Sequence, residues 1–438
     1  MELTSTGRQL AGRIRDRTAR IGIVGLGYVG LPTAVAYAQA GFSVVGIDND
    51  ASRCEAVNRG QSYIEDLSST ELQTVLEQGR LSAVTDLQQA GDLDVVDICV
   101  HTPLGETREP DTSAIEAVGE ALGACQRPGQ LVVLTSTSYP GTTEEVLRPL
   151  LERSGLVIGE DIFLAFAPER IDPGNRQFTL RTTPKVVGGV DRASTEIASL
   201  ALSTIVDVIV PVSDATTAEM VKVLENTFRM INIGFANEVA MICRRLGVDV
   251  WEVIESAATK PYGFMPFYPG PGVGGHCIPV DPSYLEWKMR NLEFRTRFID
   301  LGNDVNRSMP DYVVQRATEI LNGIERSVRG SRILVIGVAY KPNVGDTRES
   351  PGIEVIARLL QRGAAVRYVD PHVPALSVHG ASVPRVDLSA AELESSELVV
   401  ITTQHRAVDW DLVRERAPLV LDTRGVRGGT DDATWHTL

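Results

Sequence analysis

Cysteine is scarce in this chain and scattered. There are five, Cys54, Cys99, Cys125, Cys243 and Cys277, an odd number with no C-x-x-C spacing. Neither a disulfide framework nor a zinc site fits such a scatter, so no metal is expected. A basic excess is also missing: the net charge is −15 and the isoelectric point near 5.0. That excludes bulk attraction to nucleic acid or to an anionic membrane. No apolar run approaches the length of a bilayer span. The first twenty residues are polar and charged without an apolar h-region, so no secretory signal is expected and the reducing cytoplasm is the expected compartment. What remains is ordinary globular material, 43% hydrophobic and 23% charged. At 438 residues it has room for about two to three domains.

The chain opens on a strong signal. Ile21–Val24 is a short apolar run leading into Gly25, Gly27 and Gly30 at G-x-G-x-x-G spacing. A helical stretch, Gly41 and a second apolar run ending at Asp48 follow. Strand, turn, helix and strand are the context that a dinucleotide motif requires. Gly25 allows the tight turn, Gly27 lets backbone reach a pyrophosphate, and Gly30 lets helix and strand pack closely. Tyr28 and Val29 lie inside the motif, where the helix N-terminus offers amide donors to phosphate. Asp48 is placed to accept both ribose hydroxyls, which favours NAD over NADP, whose 2′-phosphate it would repel.

Alternation of strand and helix continues to about residue 210, with candidate strands at 21–24, 44–47, 95–100, 131–134, 163–166, 185–188 and 206–210. This predicts an α/β, doubly wound, mostly parallel sheet, with ligands at the strands' carboxyl ends. Thr102, Thr137, Glu169 and Arg170 all fall just past such ends. From residue 211 the pattern turns helical. Residues 216–246 form one long proline-free stretch, on which Lys222 and Asn226, four apart, share a face. A second helical segment covers about 296–325. From about residue 331 strand and helix alternate again, with strands at 333–339, 365–370, 398–401 and 419–421 and a helix at 352–361. This second Rossmann-like sheet lacks the glycine fingerprint and carries Lys341 and Arg348 beside the start of its first helix, a pattern suited to a phosphate. The expected division is 1–210 for the dinucleotide, 211–325 as a helical centre and 326–438 for a second nucleotide.

Between the helical segments lies Gly270-Pro-Gly-Val-Gly-Gly-His-Cys-Ile-Pro-Val-Asp281. Glycines let this backbone approach a ligand closely, and the loop displays Cys277 four residues before Asp281. A thiol shown this way suits covalent catalysis. A structural turn around a small buried hydrophobe fits the same residues.

Five motifs in order resemble the UDP-glucose/GDP-mannose dehydrogenase family: Gly25-x-Gly-Tyr-Val-Gly30, Pro168-Glu169, Lys222-x-x-x-Asn226, Gly274-Gly-His-Cys-Ile-Pro-x-Asp281 and Lys341-Pro-x-x-x-Asp-x-Arg-Glu-Ser350. The resemblance runs from Arg20 to about residue 430. It implies oxidation of a nucleotide sugar's primary alcohol at carbon six to a carboxylate, with two NAD⁺ reduced. It also implies that Cys277 captures the aldehyde as a thiohemiacetal that is oxidised to a thioester and hydrolysed. Lys222 would stabilise oxyanion charge, Asn226 orient the substrate oxygen or a water, Asp281 join the proton relay, and Glu169 assist hydrolysis. Thr137 would stand near the nicotinamide and the catalytic water. The resemblance also implies Gly274, His276, Arg170, Lys341 and Arg348 as further substrate contacts, and a homodimer through the central helix. A departure is the second glutamate that the UDP-glucose enzymes carry after the one matching Glu169; here Asp172 stands nearby and is given no role. His276-Cys-Ile-Pro, Asp281-Pro and Tyr284-Leu-x-Trp-Lys288 resemble the N-acetylhexosamine branch, favouring a UDP-N-acetylglucosamine substrate over UDP-N-acetylmannosamine or UDP-glucose. Two other classes stay open: a two-electron β-hydroxyacid dehydrogenase, and a non-catalytic nucleotide-binding protein.

Overall fold

The computed structural model describes residues 3–64, 66–105, 108–172, 175, 177–275, 277–427 and 431–438. They fall into two units, Met1–Glu225 with Ser283–Glu293, and Asn226–Pro282 with Phe294–Leu438.

The first unit is built on eight strands: β1 (Arg20–Val24), β2 (Ser43–Ile47), β3 (Leu81–Val84), β4 (Val95–Ile98), β5 (Leu131–Leu134), β6 (Phe163–Phe166), β7 (Lys185–Gly189) and β8 (Ile209–Pro211). Their order is β3-β2-β1-β4-β5-β6-β7-β8. The first six pair in parallel, β7 runs antiparallel to β6, and β8 is parallel to β7. Successive side chains of the inner strands go to opposite cores. Ile21, Ile23, Val95, Val133 and Ala165 join Leu31, Val35 and Ile197 on one face. Val24, Val96, Ile98, Val132 and Leu164 join Ile115, Leu122 and Leu147 on the other. A sheet buried on both faces is what an unbroken Val/Ile/Leu strand requires.

Three expectations shift here. The strand Leu81–Val84 escapes a reading by hydrophobic runs, because Ser82 faces outward and Val84 is half-buried. The strand expected to reach residue 100 stops at Ile98, where Cys99 still donates its amide to Val24 and the chain then leaves the ladder. Val206 is buried beside a helix end rather than in a strand, and pairing begins only at Ile209. The polar N-terminal segment is a helix, Ser5–Arg15, capped by Thr4, whose Leu10 and Ile14 are fully buried in the first core.

The long helix Ala215–Leu246 gives its first eleven residues to this unit and the rest to the second. In the second unit it is followed by the helices Val250–Ala258 and Arg297–Gly323 and a five-stranded parallel sheet. The sheet strands are β9 (Arg332–Ile336), β10 (Ala365–Val369), β13 (Leu398–Ile401), β14 (Val420–Asp422) and β15 (Trp435–Thr437), with a hairpin of β11 (Leu376–Val378) and β12 (Ala381–Val383) beside them. The order β10-β9-β13-β14-β15 is a second doubly wound arrangement with its switch point beside β9.

Candidate active site

The crevice where strand order reverses lies between β1 and β4. Gly25 turns there with φ +93°, and a Cβ on it would stand 2.5 Å from the Cys99 carbonyl oxygen. Gly30 packs so closely that a Cβ would overlap the Gly25 carbonyl. Gly27 faces open space, with none of the described residues within 4 Å of its Cβ position. Only the middle glycine thus borders a void, as a backbone approached by a pyrophosphate must. Tyr28 is half exposed beside it, and Val29 precedes the helix Gly30–Gln39. Asp48, buried at the end of β2, accepts from the amides of Leu26 at 2.7 Å and Asp50 at 2.9 Å, with Arg53 at 3.5 Å. These donors fix the carboxylate at the crevice edge, and the residues fit an NAD ribose.

Past β4 and β5, Thr102 donates to the Thr137 carbonyl at 2.6 Å, and the Tyr284 hydroxyl donates to the Thr102 carbonyl. Thr102 and Thr137 are therefore brought together. The other end of the Thr137 loop is held by Glu219, a buried carboxylate on the long helix. It accepts from the Gly141 amide at 2.5 Å and from the Thr143 amide and hydroxyl at 2.8 and 2.6 Å. Burial pushes Glu219 up to about 7 against these donors.

Past β6, Glu169 accepts from its own loop, the Arg170 and Ile171 amides at 2.7 and 2.8 Å, and from the buried Lys185 ammonium at 2.9 Å. Burial opposes its ionisation, yet Lys185 and the two amides outweigh burial and hold the carboxyl below its ordinary value. Both oxygens are engaged. Arg170 directs its fork to Glu225 of the long helix, at 2.5 and 3.2 Å, and to the Pro184 carbonyl at 2.7 Å. Lys222 is buried on the same helix between Glu219 and Glu225.

In the second unit the cysteine loop is folded tightly on its own neighbours. Gly272 and Gly275 hold φ +130° and +89°. A Cβ on Gly275 would stand 2.7 Å from the Tyr340 ring and one on Gly274 2.6 Å from the Glu349 carbonyl oxygen. The Gly275 amide donates to the Arg348 carbonyl at 3.0 Å. The glycines therefore lay the cysteine loop against residues 340–350, the segment that carries Lys341 and Arg348. Cys277 is exposed, and its carbonyl accepts from the Val280 and Asp281 amides at 3.2 and 2.8 Å, turning the chain into the helix Asp281–Asn291. Beneath it the buried Asn226 donates to the Asp281 carboxylate at 2.5 Å. Arg348 grips Asp346 with its side chain, and Lys341 is half-buried. His276 lies outside the described residues.

Several residues went unread in the sequence. Lys185, Glu219 and Glu225 sit in ordinary strand or helix contexts; only the spacing of both glutamates three residues from Lys222 hinted at a shared face. Arg424 is another. It donates to the Thr402 carbonyl at 2.7 Å, and its guanidinium would contact a Cβ on Gly270 at 2.6 Å. Burial lowers its pKa to about 10, with Asp422 opposing. A cation held against the glycine loop is well placed for an anionic ligand.

Family models match the chain in three consecutive stretches of the UDP-glucose/GDP-mannose dehydrogenase family: its NAD binding domain at 19–205, central domain at 216–308 and UDP binding domain at 334–428. The chain is 36% identical to a UDP-N-acetyl-D-glucosamine 6-dehydrogenase of Pseudomonas aeruginosa, over 81% of this chain and 83% of that protein. It is also 36% identical to an NDP-N-acetyl-D-galactosaminuronic acid dehydrogenase of Ralstonia solanacearum, over 93% and 96%. The solved UDP-D-ManNAc dehydrogenase of Pyrococcus horikoshii is similar with a TM-score of 0.87 and 33% identity, covering 95% of this chain and 98% of that one. The chain therefore belongs to the UDP-glucose/GDP-mannose dehydrogenase family and is an NAD-dependent oxidoreductase of nucleotide sugars.

Proposed function

We propose that this protein oxidises carbon six of a UDP-N-acetylhexosamine, UDP-N-acetylglucosamine first, to the uronic acid through a covalent bond to Cys277. The observation that carries the reading is the exposed cysteine on a glycine-supported turn, with the Asn226–Asp281 pair buried beneath it. Two NAD⁺, bound in turn, would each accept one hydride per substrate. The residues do the rest. Asn226 orients the primary hydroxyl and Asp281 takes its proton as the first hydride leaves carbon six, giving the aldehyde. The Cys277 thiolate adds to that carbonyl, forming a C–S bond, and Lys222 balances the new oxyanion. Loss of the second hydride from carbon six restores the carbonyl as a thioester. Water, oriented by Thr137 and helped by Glu169, then breaks the C–S bond, releasing carboxylate and returning the thiol.

Glu169 bears on which step this enzyme makes easy. Its oxygens already accept three hydrogen bonds, one from an ammonium, so we give it an electrostatic and orienting share in hydrolysis. On the sugar nucleotide we place Gly274, His276 and Arg170 near the hexosamine, and Lys341, Arg348 and Arg424 at the diphosphate. Three parts divide the work: 1–210 for the dinucleotide, 211–325 for the cysteine and self-association, and 326–438 for the UDP moiety. Self-association as a homodimer is supported by the long helix, where Phe228, Phe235, Ile242 and Leu246 are all 45–70% exposed on one face.

UDP-N-acetylmannosamine is the second reading, supported by the likeness to the Pyrococcus enzyme. One experiment ranks the sugars: NADH released per molecule from UDP-glucose, UDP-GlcNAc, UDP-ManNAc and GDP-mannose. Two equivalents from UDP-GlcNAc, at a kcat/KM above the others, supports the proposal. One equivalent from every sugar would sink it.

A further inference from the structure

Lys222 stands on the long helix between two carboxylates that the reaction does not consume. Glu219 comes three residues before it and Glu225 three after, so the three share one side of the helix. Each carboxylate reaches a different strand-end loop. Glu219 takes three hydrogen bonds from Gly141 and Thr143, where the chain after β5 turns into its next helix. Glu225 takes the Arg170 fork from the loop after β6.

We propose that Glu219 and Glu225 are positioning residues that bracket Lys222 and hold the Thr137 loop and the Glu169 loop in fixed register with that turn of the helix. The inference rests on the reading of Lys222, Thr137 and Glu169 as reacting or water-orienting groups. Its physical basis is the buried geometry. A side chain 1% exposed that satisfies two backbone amides and a hydroxyl is a rigid joint, and a bidentate guanidinium–carboxylate pair is another. Two hydride transfers and a hydrolysis demand alignment to within about an ångström, and misplacement by that much costs on the order of 100-fold in rate. Fixing both loops to one helical turn keeps the oxyanion-side cation and the water side aligned through all steps.

The Glu219 joint is also sensitive to pH. Burial and the facing Glu145 favour the protonated carboxyl, while the Gly141 and Thr143 donors favour the ionised one. Tyr139 lies on the same loop, and Lys222 is the cation on its own helix.

The test compares Glu219→Gln, Glu225→Gln and Lys222→Ala with the parent, each first checked for NAD⁺ binding and for its thermal midpoint. Glu219→Gln puts an amide NH₂ against the Gly141 N–H. Expected are faster hydrogen exchange at residues 141–143, by about tenfold or more, and a kcat lower by about 10- to 100-fold. The NAD⁺ Kd should stay within about threefold, as expected for a change outside the G-x-G-x-x-G edge. Glu225→Gln should likewise slow turnover and speed exchange near residue 170. If Glu219→Gln fails to fold, turnover and exchange in Glu225→Gln decide between bracket and no bracket. Parent-like kcat and exchange in the glutamine variants, beside an inactive Lys222→Ala, would overturn the bracket. Parent-like turnover by Lys222→Ala would instead overturn the reading of the site on which it stands.

Discussion

The five cysteines divide by environment. Burial raises the thiol pKa of Cys54, Cys99, Cys125 and Cys243, with nearby carboxylates adding to it, whereas Cys277 is exposed on its glycine turn. Brief treatment of the native protein with iodoacetamide at neutral pH should therefore mark Cys277 first, and mass spectrometry of the digest would locate the adduct. Labelling of a buried thiol ahead of it would count against its display. Cys277→Ser should bind NAD⁺ normally and form acid at least about 1,000-fold more slowly, since a hydroxyl at its normal pKa is a poor nucleophile. Glu219 gives a stability prediction of its own. Its carboxyl holds a proton to about pH 7 when folded but releases it near the ordinary 4.5 when unfolded. Stability from this group is thus fully present below about pH 4.5 and lost as pH rises through 7, by on the order of 3 kcal/mol. Thermal unfolding from pH 5 to 8 should decline less in Glu219→Gln than in the parent. Equal slopes would mean that Glu219 is ionised throughout.

At the scale of elements, the two sheets solve one problem twice with different outcomes. Gly25 after β1 and Gly337 after β9 both hold positive φ, +93° and +85°, and both donate their amides to the strand alongside, at Ile47 and Val369. Asp48 ends β2 and accepts from Leu26; Asp370 follows β10 and accepts from Val338. The likeness stops there. Where Gly27 faces open space, the second unit has Ala339, and Asp370 is closed off by further amides and by His405 at 3.1 Å. Burial disfavours the Asp370 charge, but His405 and the amides prevail and hold it down at about 2. His405 accepts the Asn343 amide on Nδ1 at 3.0 Å, so Nε2 carries the proton it gives to Asp370. The acid that ends a strand at a dinucleotide crevice in one unit has become an internal tether in the other. Gly25→Ala should weaken NAD⁺ binding by at least about tenfold, because the added Cβ meets the Cys99 carbonyl in a left-handed backbone. Gly337→Ala, crowded by the Thr403 carbonyl, should lower the thermal midpoint while leaving NAD⁺ affinity alone. Calorimetry and NAD⁺ titration of both variants test the contrast. For the proposed homodimer, Phe235→Glu on the long helix should lower the sedimentation mass to that of a monomer; an unchanged mass would remove this face from the proposed interface.

Across the whole molecule, the family's three parts follow in order along one chain, the NAD binding domain first and the UDP binding domain last. The features legible in the chain alone are those encoded in local spacing. The glycines at 25, 27 and 30, the cysteine loop and the two strand–helix alternations could be read because backbone conformation and burial on both sheet faces impose short-range patterns. Glycine at 337 was legible as a residue but not as a turn, since no second and third glycine followed it at the expected spacing. The eighth-strand boundary and the strand Leu81–Val84 were lost because their burial is uneven. Which charges meet depends on the folded molecule. Lys185 is 16 residues from Glu169, Glu225 is 55 from Arg170, and Glu219 is 76 from Thr143. Such partners are chosen when strand ends and a helix are brought to the same place, and nothing in a linear pattern records that meeting. The physical reason is desolvation: a buried carboxylate must find donors wherever the fold supplies them, near or far in the chain.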